Sequence, residues 1–143
     1  MMPYYLCGPM SGYPQANFPA FYAAAKDLRA RGYDIISPAE LDDQEDVDAA
    51  LASVSGLPSD FRKTWGQYLS RDVLIVSEQC DGIIFLPDWF RSRGARLEAF
   101  VGCLSQRPFE FLEYHGPGRE CEPIFKELVL FNIVEWTREA VKP

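Results

Sequence analysis

This 143-residue sequence predicts a doubly wound α/β fold. Three observations carry that reading. "GIIFL", residues 82–86, is apolar without alternation, as in a strand covered on both faces. Apolar residues at helical spacing fill the segments on either side of it. The first 38 residues read strand, loop, helix, strand, which is the βαβ unit of a parallel sheet.

The elements follow in order. "YYLC", residues 4–7, is β-prone, and "GPMSG" behind it forms a loop. Phe18, Phe21, Tyr22, Ala25 and Leu28 recur at helical spacing, with Asn17 placed to cap the start and Gly32 to stop the end. "DIISP", residues 34–38, reads as the second strand. Residues 42–58 are acidic, then rich in Ala and Ser. They read as an exposed excursion or lid with room for a short helix. Phe61, Trp65, Tyr68, Leu69, Val73 and Val76 share one face of a long helix over 61–80. The third strand, 82–86, is followed by a helix in "GARLEAFVGCLSQ" built on Leu97, Phe100, Val101 and Leu104. "RPFEFLEY", residues 107–114, is a fourth strand. The run at 129–134 leaves helix and strand open. No repeat, linker or low-complexity stretch interrupts the chain, so residues 1–143 read as one domain.

Composition narrows the function. The net charge of −7 argues against a nucleic-acid polymer as partner, although a small basic pocket suffices for one nucleotide. No apolar run approaches the roughly 20 residues of a membrane span, and the N-terminus lacks a signal-peptide pattern. Cys7, Cys80, Cys103 and Cys121 form no CxxC pair, which speaks against a metal and for a reduced, cytoplasmic setting. His115, the one histidine, sits in a turn-like stretch with no second ligand beside it.

Ligands of such sheets bind beyond the carboxyl ends of the strands, so "CGPMSG", "SPAEL" and "PDWFRSRG" are expected to line one crevice. The first connection offers Gly8, Ser11 and Gly12, with Asn17 at its far end. The third offers Asp88, Trp89, Arg91, Ser92, Arg93 and Gly94, just before a helix whose N-terminus attracts anions. Ser92 and Gly94 can cradle a phosphate there; a plain cap with solvated arginines fits the same letters. Neither a GxGxxG fingerprint nor a Walker lysine is present. Glu98 lies on the first turns of that helix, among Leu97, Phe100 and Val101, where desolvation can tune a carboxylate. With Asp72 and Asp88 it makes a set of carboxylates suited to glycosidic cleavage. Pattern alone also allows Glu98 and Asp72 to be solvated helix residues.

Taken together and in order, "YYLCGPMSG", "NFPAF", "SPAEL", "WGQYLSRD", "CDGIIFLPDW" and "RSRGARLEAFVG" resemble the nucleoside 2-deoxyribosyltransferase superfamily over residues 4–104. The likeness is closest to its small phage- or prophage-borne branch, domain of unknown function 4406, and extends to the 2′-deoxynucleoside 5′-phosphate N-hydrolases. The resemblance implies a flavodoxin-like, three-layer α/β/α (Rossmann-like) fold, in homodimers or larger homo-oligomers. It implies cleavage of the N-glycosidic bond of a deoxynucleoside or its 5′-monophosphate, without metal or organic cofactor. It maps the nucleophile to Glu98, a tyrosine touching it to Tyr5, and acids on the base side to Asp72 and Asp88. Ser92 and Gly94, with Ser11 and Gly12 nearby, fall where the hydrolases hold the 5′-phosphate. Alternatives are a deoxyribosyltransferase and a nucleotide-binding or sensor module without turnover. Arg96 stands where many members carry a small or apolar residue, and "EWTREAVKP" matches no acceptor-side contribution of the transferases.

Overall fold

The computed structural model describes residues 2–112. His115, Cys121, the end of the predicted fourth strand and the run at 129–134 lie outside the described residues. Four parallel strands form one sheet in the order β2-β1-β3-β4. They are β1 (Tyr4–Cys7), β2 (Ile35–Ile36), β3 (Gly82–Phe85) and β4 (Phe109–Phe111). β1 and β3 pair along their full length, from Tyr4 opposite Gly82 to Cys7 opposite Phe85. The helices are α1 (Phe18–Ala30), α2 (Gln44–Ala52), α3 (Trp65–Leu74) and α4 (Arg93–Leu104).

The period of two in a strand divides the core between the two faces. Leu6, Ile84 and Leu86 pack with Phe18, Phe21, Ala25 and Leu28 of α1. Tyr5, Cys7, Ile83 and Phe85 pack on the other face with Ala95 and Ala99 of α4 and with Ile75 and Val76 behind α3. The result is the three-layer, flavodoxin-like α/β arrangement. No helix among the described residues is long and apolar enough to cross a membrane.

Two glycines set how closely the site elements approach. A Cβ on Gly102 would lie 2.4 Å from Ile83 Cδ1 and 3.0 Å from Phe109 Cε1, so α4 rests directly on the sheet. Glu98 is one turn earlier on the same face and is pressed against the sheet with it. A Cβ on Gly8 would meet Leu86 Cδ1 at 2.7 Å, so the loop after β1 closes onto the end of β3.

Several elements differ from the sequence expectation. The helix expected over 61–80 begins at Trp65. Thr64 and Gln67 form a reciprocal capping box there: Gln67 N donates to Thr64 Oγ1 at 3.1 Å, and Thr64 N to Gln67 Oε1 at 2.8 Å. It ends in a π turn, Ile75–Gln79, where Arg107 Nε donates to the Val76 carbonyl at 3.1 Å. β2 is two residues long because the chain turns at Pro38–Glu40. Asn17 does not cap α1. Its backbone is left-handed (φ 60°), and its amide donates to the Pro9 carbonyl at 2.9 Å, tying down the loop after β1. Residues 42–58 are largely exposed and hold the short helix expected, anchored by buried Asp46, Ala50, Ser53 and Gly56. They contain α2, capped by Asp43, whose side chain accepts from Asp46 N at 2.9 Å. α2 buries Asp46 and Ala50.

Candidate active site

α4 starts at Ser92, whose hydroxyl accepts from Ala95 N at 3.2 Å. Ala95, Glu98, Ala99 and Gly102 then form the helix face that meets the sheet. Glu98 is thereby 6% exposed, a carboxyl group in the core. Beneath it lie Tyr5 and Cys7 of β1, both fully buried. Opposite is Asp72 of α3, also 6% exposed. The Tyr5 hydroxyl interacts by hydrogen bonding with both carboxyl groups, and the Cys7 thiol with Glu98. Cys7 Sγ also lies 3.6 Å from the Ala95 carbonyl, to which it donates.

Burial dominates the electrostatics. The Glu98 carboxyl is pushed up to about 8, first by loss of water and then by the negative charge of Asp72. Burial raises Asp72 as well, but Arg71 opposes it: Nε donates to Oδ1 at 2.9 Å. The Tyr5 hydroxyl and the Cys7 thiol are driven well above their ordinary values, first by burial and then by Glu98. Both therefore act as neutral donors. Both shifts favour the protonated carboxyl, and two interacting carboxyl groups titrate as a pair.

An ion-pair chain extends from this pair into residues 42–58. Arg71 Nη1 reaches Asp42 Oδ1 at 2.7 Å, and Lys63 Nζ lies 3.4 Å from Asp42 and 3.2 Å from Asp46. Both cations also sit over the Tyr68 ring, at 5.5 Å for Arg71 and 5.7 Å for Lys63. Asp46 Oδ1 is buried without a hydrogen-bond partner.

These groups line a cleft that is open to solvent. One wall is Gly8, Met10 and Ser11, and a second is Ser92, Gly94, Ala95 and Glu98. A third is aromatic, with Phe61, Trp65 and Tyr68, and the fourth carries Asp42, Asp46 and Ala50. No metal-binding group of three His, Cys, Asp or Glu side chains occurs among the described residues.

The sequence profile of the family described as a domain of unknown function, DUF4406, matches residues 2–103. The chain belongs to this family. The match runs from the start of β1 through α4 to Cys103 and spans every residue of the cleft wall. No curated protein and no solved structure gives a match.

Of the residues the sequence singles out, the DUF4406 domain brings Glu98, Asp72, Gly8, Ser11, Ser92 and Gly94 to the cleft, with Tyr5 directly beneath. It places the others outside the lining. Asp88 is exposed, in a left-handed turn, 3.8 Å from Arg91. Trp89 packs on Phe85, with ring centroids 4.6 Å apart. Arg91 lies over the Phe90 ring and Arg93 over that of Trp65. Gly12 is exposed at φ 82° and serves the turn, Asn17 serves the loop, and Arg96 is half-buried on α4. Glu98 and Asp72 therefore meet in the DUF4406 cleft, which Asp42 and Asp46 also line, and Asp88 is not among them. The residues missed from sequence are Arg71, Lys63, Asp42 and Asp46. Their one signal was that Arg71 directly precedes Asp72; nothing linked either to a segment 29 positions upstream.

Proposed function

We propose that the protein cleaves the N-glycosidic bond of a 2′-deoxynucleoside or its 5′-monophosphate, with Glu98 as nucleophile. The observation that carries this reading is the buried Glu98–Asp72 pair, bridged by Tyr5, at the base of an aromatic-walled cleft. In the reactive form Glu98 is ionised and Asp72 holds the proton of the pair. The Glu98 carboxylate attacks C1′ as the C1′–N bond breaks, and the electron pair of that bond leaves with the base. Asp72 protonates the base, and a glycosyl ester on Glu98 remains. Tyr5 donates to the Glu98 carboxylate and holds it in line. Water then opens the ester, with the Asp72 carboxylate taking its proton.

The cleft walls match the parts of such a ligand. Phe61, Trp65 and Tyr68 offer ring faces for the base. Lys63 and Asp46, a donor and an acceptor 3.2 Å apart, suit its polar edge. Ser92 and Gly94 at the start of α4, with Ser11 across from them, suit the 5′ end. Leu74, Phe90, Leu97 and Leu104 are exposed apolar residues, which supports a homo-oligomer as part of the same reading.

The test is release of free base from the four deoxynucleosides and their 5′-monophosphates by the wild type and by Glu98→Gln. Release by the wild type and its loss in the variant are expected. No release from any of the eight, or equal release by the variant, overturns the reading. Incorporation of an added free base would make the reaction a transfer, with the same intermediate.

A further inference from the structure

Glu98 and Asp72 are equally buried, at 6% exposure each, yet their partners differ in charge. Asp72 has a guanidinium, with Arg71 Nε 2.9 Å from its Oδ1. Among the described residues no ion pair reaches Glu98. Facing Glu98 are Tyr5 and Cys7 from β1, which are neutral donors, and Asp72 and Arg71 from α3. Facing Asp72 are Arg71 on its own helix, Asp42 from the chain after β2, Tyr5 from β1 and Glu98 from α4. When two buried carboxyl groups share one proton, the one paired to a cation stays ionised and the other keeps the proton.

Arg71 is itself divided between two anions. Nη1 donates to Asp42 Oδ1 at 2.7 Å while Nε holds Asp72 at 2.9 Å. A planar guanidinium can span two carboxylates in this way; an ammonium group, a single point charge, cannot. Asp42 lies just ahead of α2, the helix that walls the cleft, so a ligand entering the cleft meets this pair directly.

We propose that Arg71 is a positioning residue that assigns the shared proton to Glu98 while the cleft is empty, and that Asp42 sets how firmly it does so. This rests on the reading of Glu98 and Asp72 as the reacting pair. A ligand that draws Arg71 toward Asp42 loosens its hold on Asp72. The Glu98 proton then passes to the Tyr5 oxygen as the Tyr5 proton passes to Asp72. Two protons shift, Tyr5 ends neutral, the net transfer is one proton from Glu98 to Asp72, and Glu98 becomes the anion beside C1′. The empty protein thus keeps its nucleophile neutral, and filling the cleft ionises it.

Carboxyl-carbon NMR titration of the full chain tests this without any turnover. In the wild type the upper step of the pair is expected on the Glu98 signal, with Asp72 ionised through the neutral range. In Arg71→Gln the upper step is expected to move to higher pH and to appear on Asp72. Glu98 carrying the whole upper step in Arg71→Gln overturns the proposal. Asp42→Asn, which keeps Arg71, is the second variant. With its competitor removed, Arg71 grips Asp72 more firmly, so the Asp72 midpoint is expected to fall; a rise overturns the proposal even where Arg71→Gln does not fold. If the titration order exchanges while no nucleoside or nucleotide releases base, the proposed reaction fails and the proton assignment stands.

Discussion

Arg71 and Asp42 are 29 residues apart in the chain and 2.7 Å apart in space. This contact joins residues 42–58 to the buried carboxyl pair, because the same guanidinium holds Asp72. It makes the acidic segment part of the cleft's electrostatics, and the chemistry proposed for the cleft has consequences in stability, pH dependence and binding.

Glu98 is the clearest case for stability. Its folded value of about 8 lies above its ordinary 4.5, so between those values the folded state binds more protons than the unfolded one. Stability is therefore present at low pH and falls as pH rises through that window, by at most about 1.4 kcal/mol per pH unit. Glu98→Gln removes this loss. Thermal melts at pH 6 and pH 9 are expected to show the variant gaining on the wild type at the higher pH. Parallel losses in both proteins would contradict the burial argument.

In the proposed reaction the same pair sets the rate: cleavage would need one proton on the pair, for the leaving base, and one anion, for C1′. kcat/KM reports ionisations of the free protein. It is expected to fall above about pH 8, where the last shared proton is lost. It is also expected to fall in acid, where both groups are protonated. A rate still rising through pH 9 would remove Asp72 from the role of acid.

The helix α4 depends on Gly102. A side chain there meets Ile83 Cδ1 at 2.4 Å and Phe109 Cε1 at 3.0 Å. Overpacking a core costs roughly 1–3 kcal/mol, against about 1 kcal/mol that alanine gains over glycine in a helix. Gly102→Ala is expected to lose roughly 1 kcal/mol net in urea unfolding and to lower kcat by lifting Glu98 from the sheet. An unchanged kcat would show that Glu98 is held by other contacts.

The fold was legible where burial imposes a pattern. The unalternating run at 82–86 is β3, covered on both faces by the two cores, and the helical spacing from Phe18 to Leu28 is α1. Helix boundaries were less legible. Phe61 continues the apolar face of α3 but precedes its cap, and only the Thr64–Gln67 pairing marks the start. The site was legible in part. Glu98, Tyr5 and Asp72 sit on elements whose burial depends on how closely α4 rests on the sheet. That approach is set by glycines, which carry no hydrophobic signal. Arg91 and Arg93 followed from the rule that helix N-termini hold anions, yet neither is in the cleft lining: Arg91 turns to the Phe90 ring and Arg93 to the ring of Trp65 in the cleft wall.

That last point is testable at once. Arg91 has a 67% exposed side chain, over the Phe90 ring. Arg91→Ala is expected to leave KM within about twofold for both a deoxynucleoside and its 5′-monophosphate, as surface changes stay within about 0.5 kcal/mol. Trp65→Ala removes a wall of the cleft and is expected to raise KM about tenfold, since base stacking on an aromatic contributes roughly 1–3 kcal/mol. The reverse ranking would place the ligand outside the cleft.

A covalent intermediate is the most specific consequence of Glu98 acting as nucleophile. Rapid acid quench of the protein during turnover, followed by peptide mass spectrometry, reads it directly. The expected result is a 2-deoxyribosyl or 5-phospho-2-deoxyribosyl ester on Glu98, absent in Glu98→Gln. Free base released while the Glu98 peptide stays unmodified at every quench time, with the variant equally active, would contradict it.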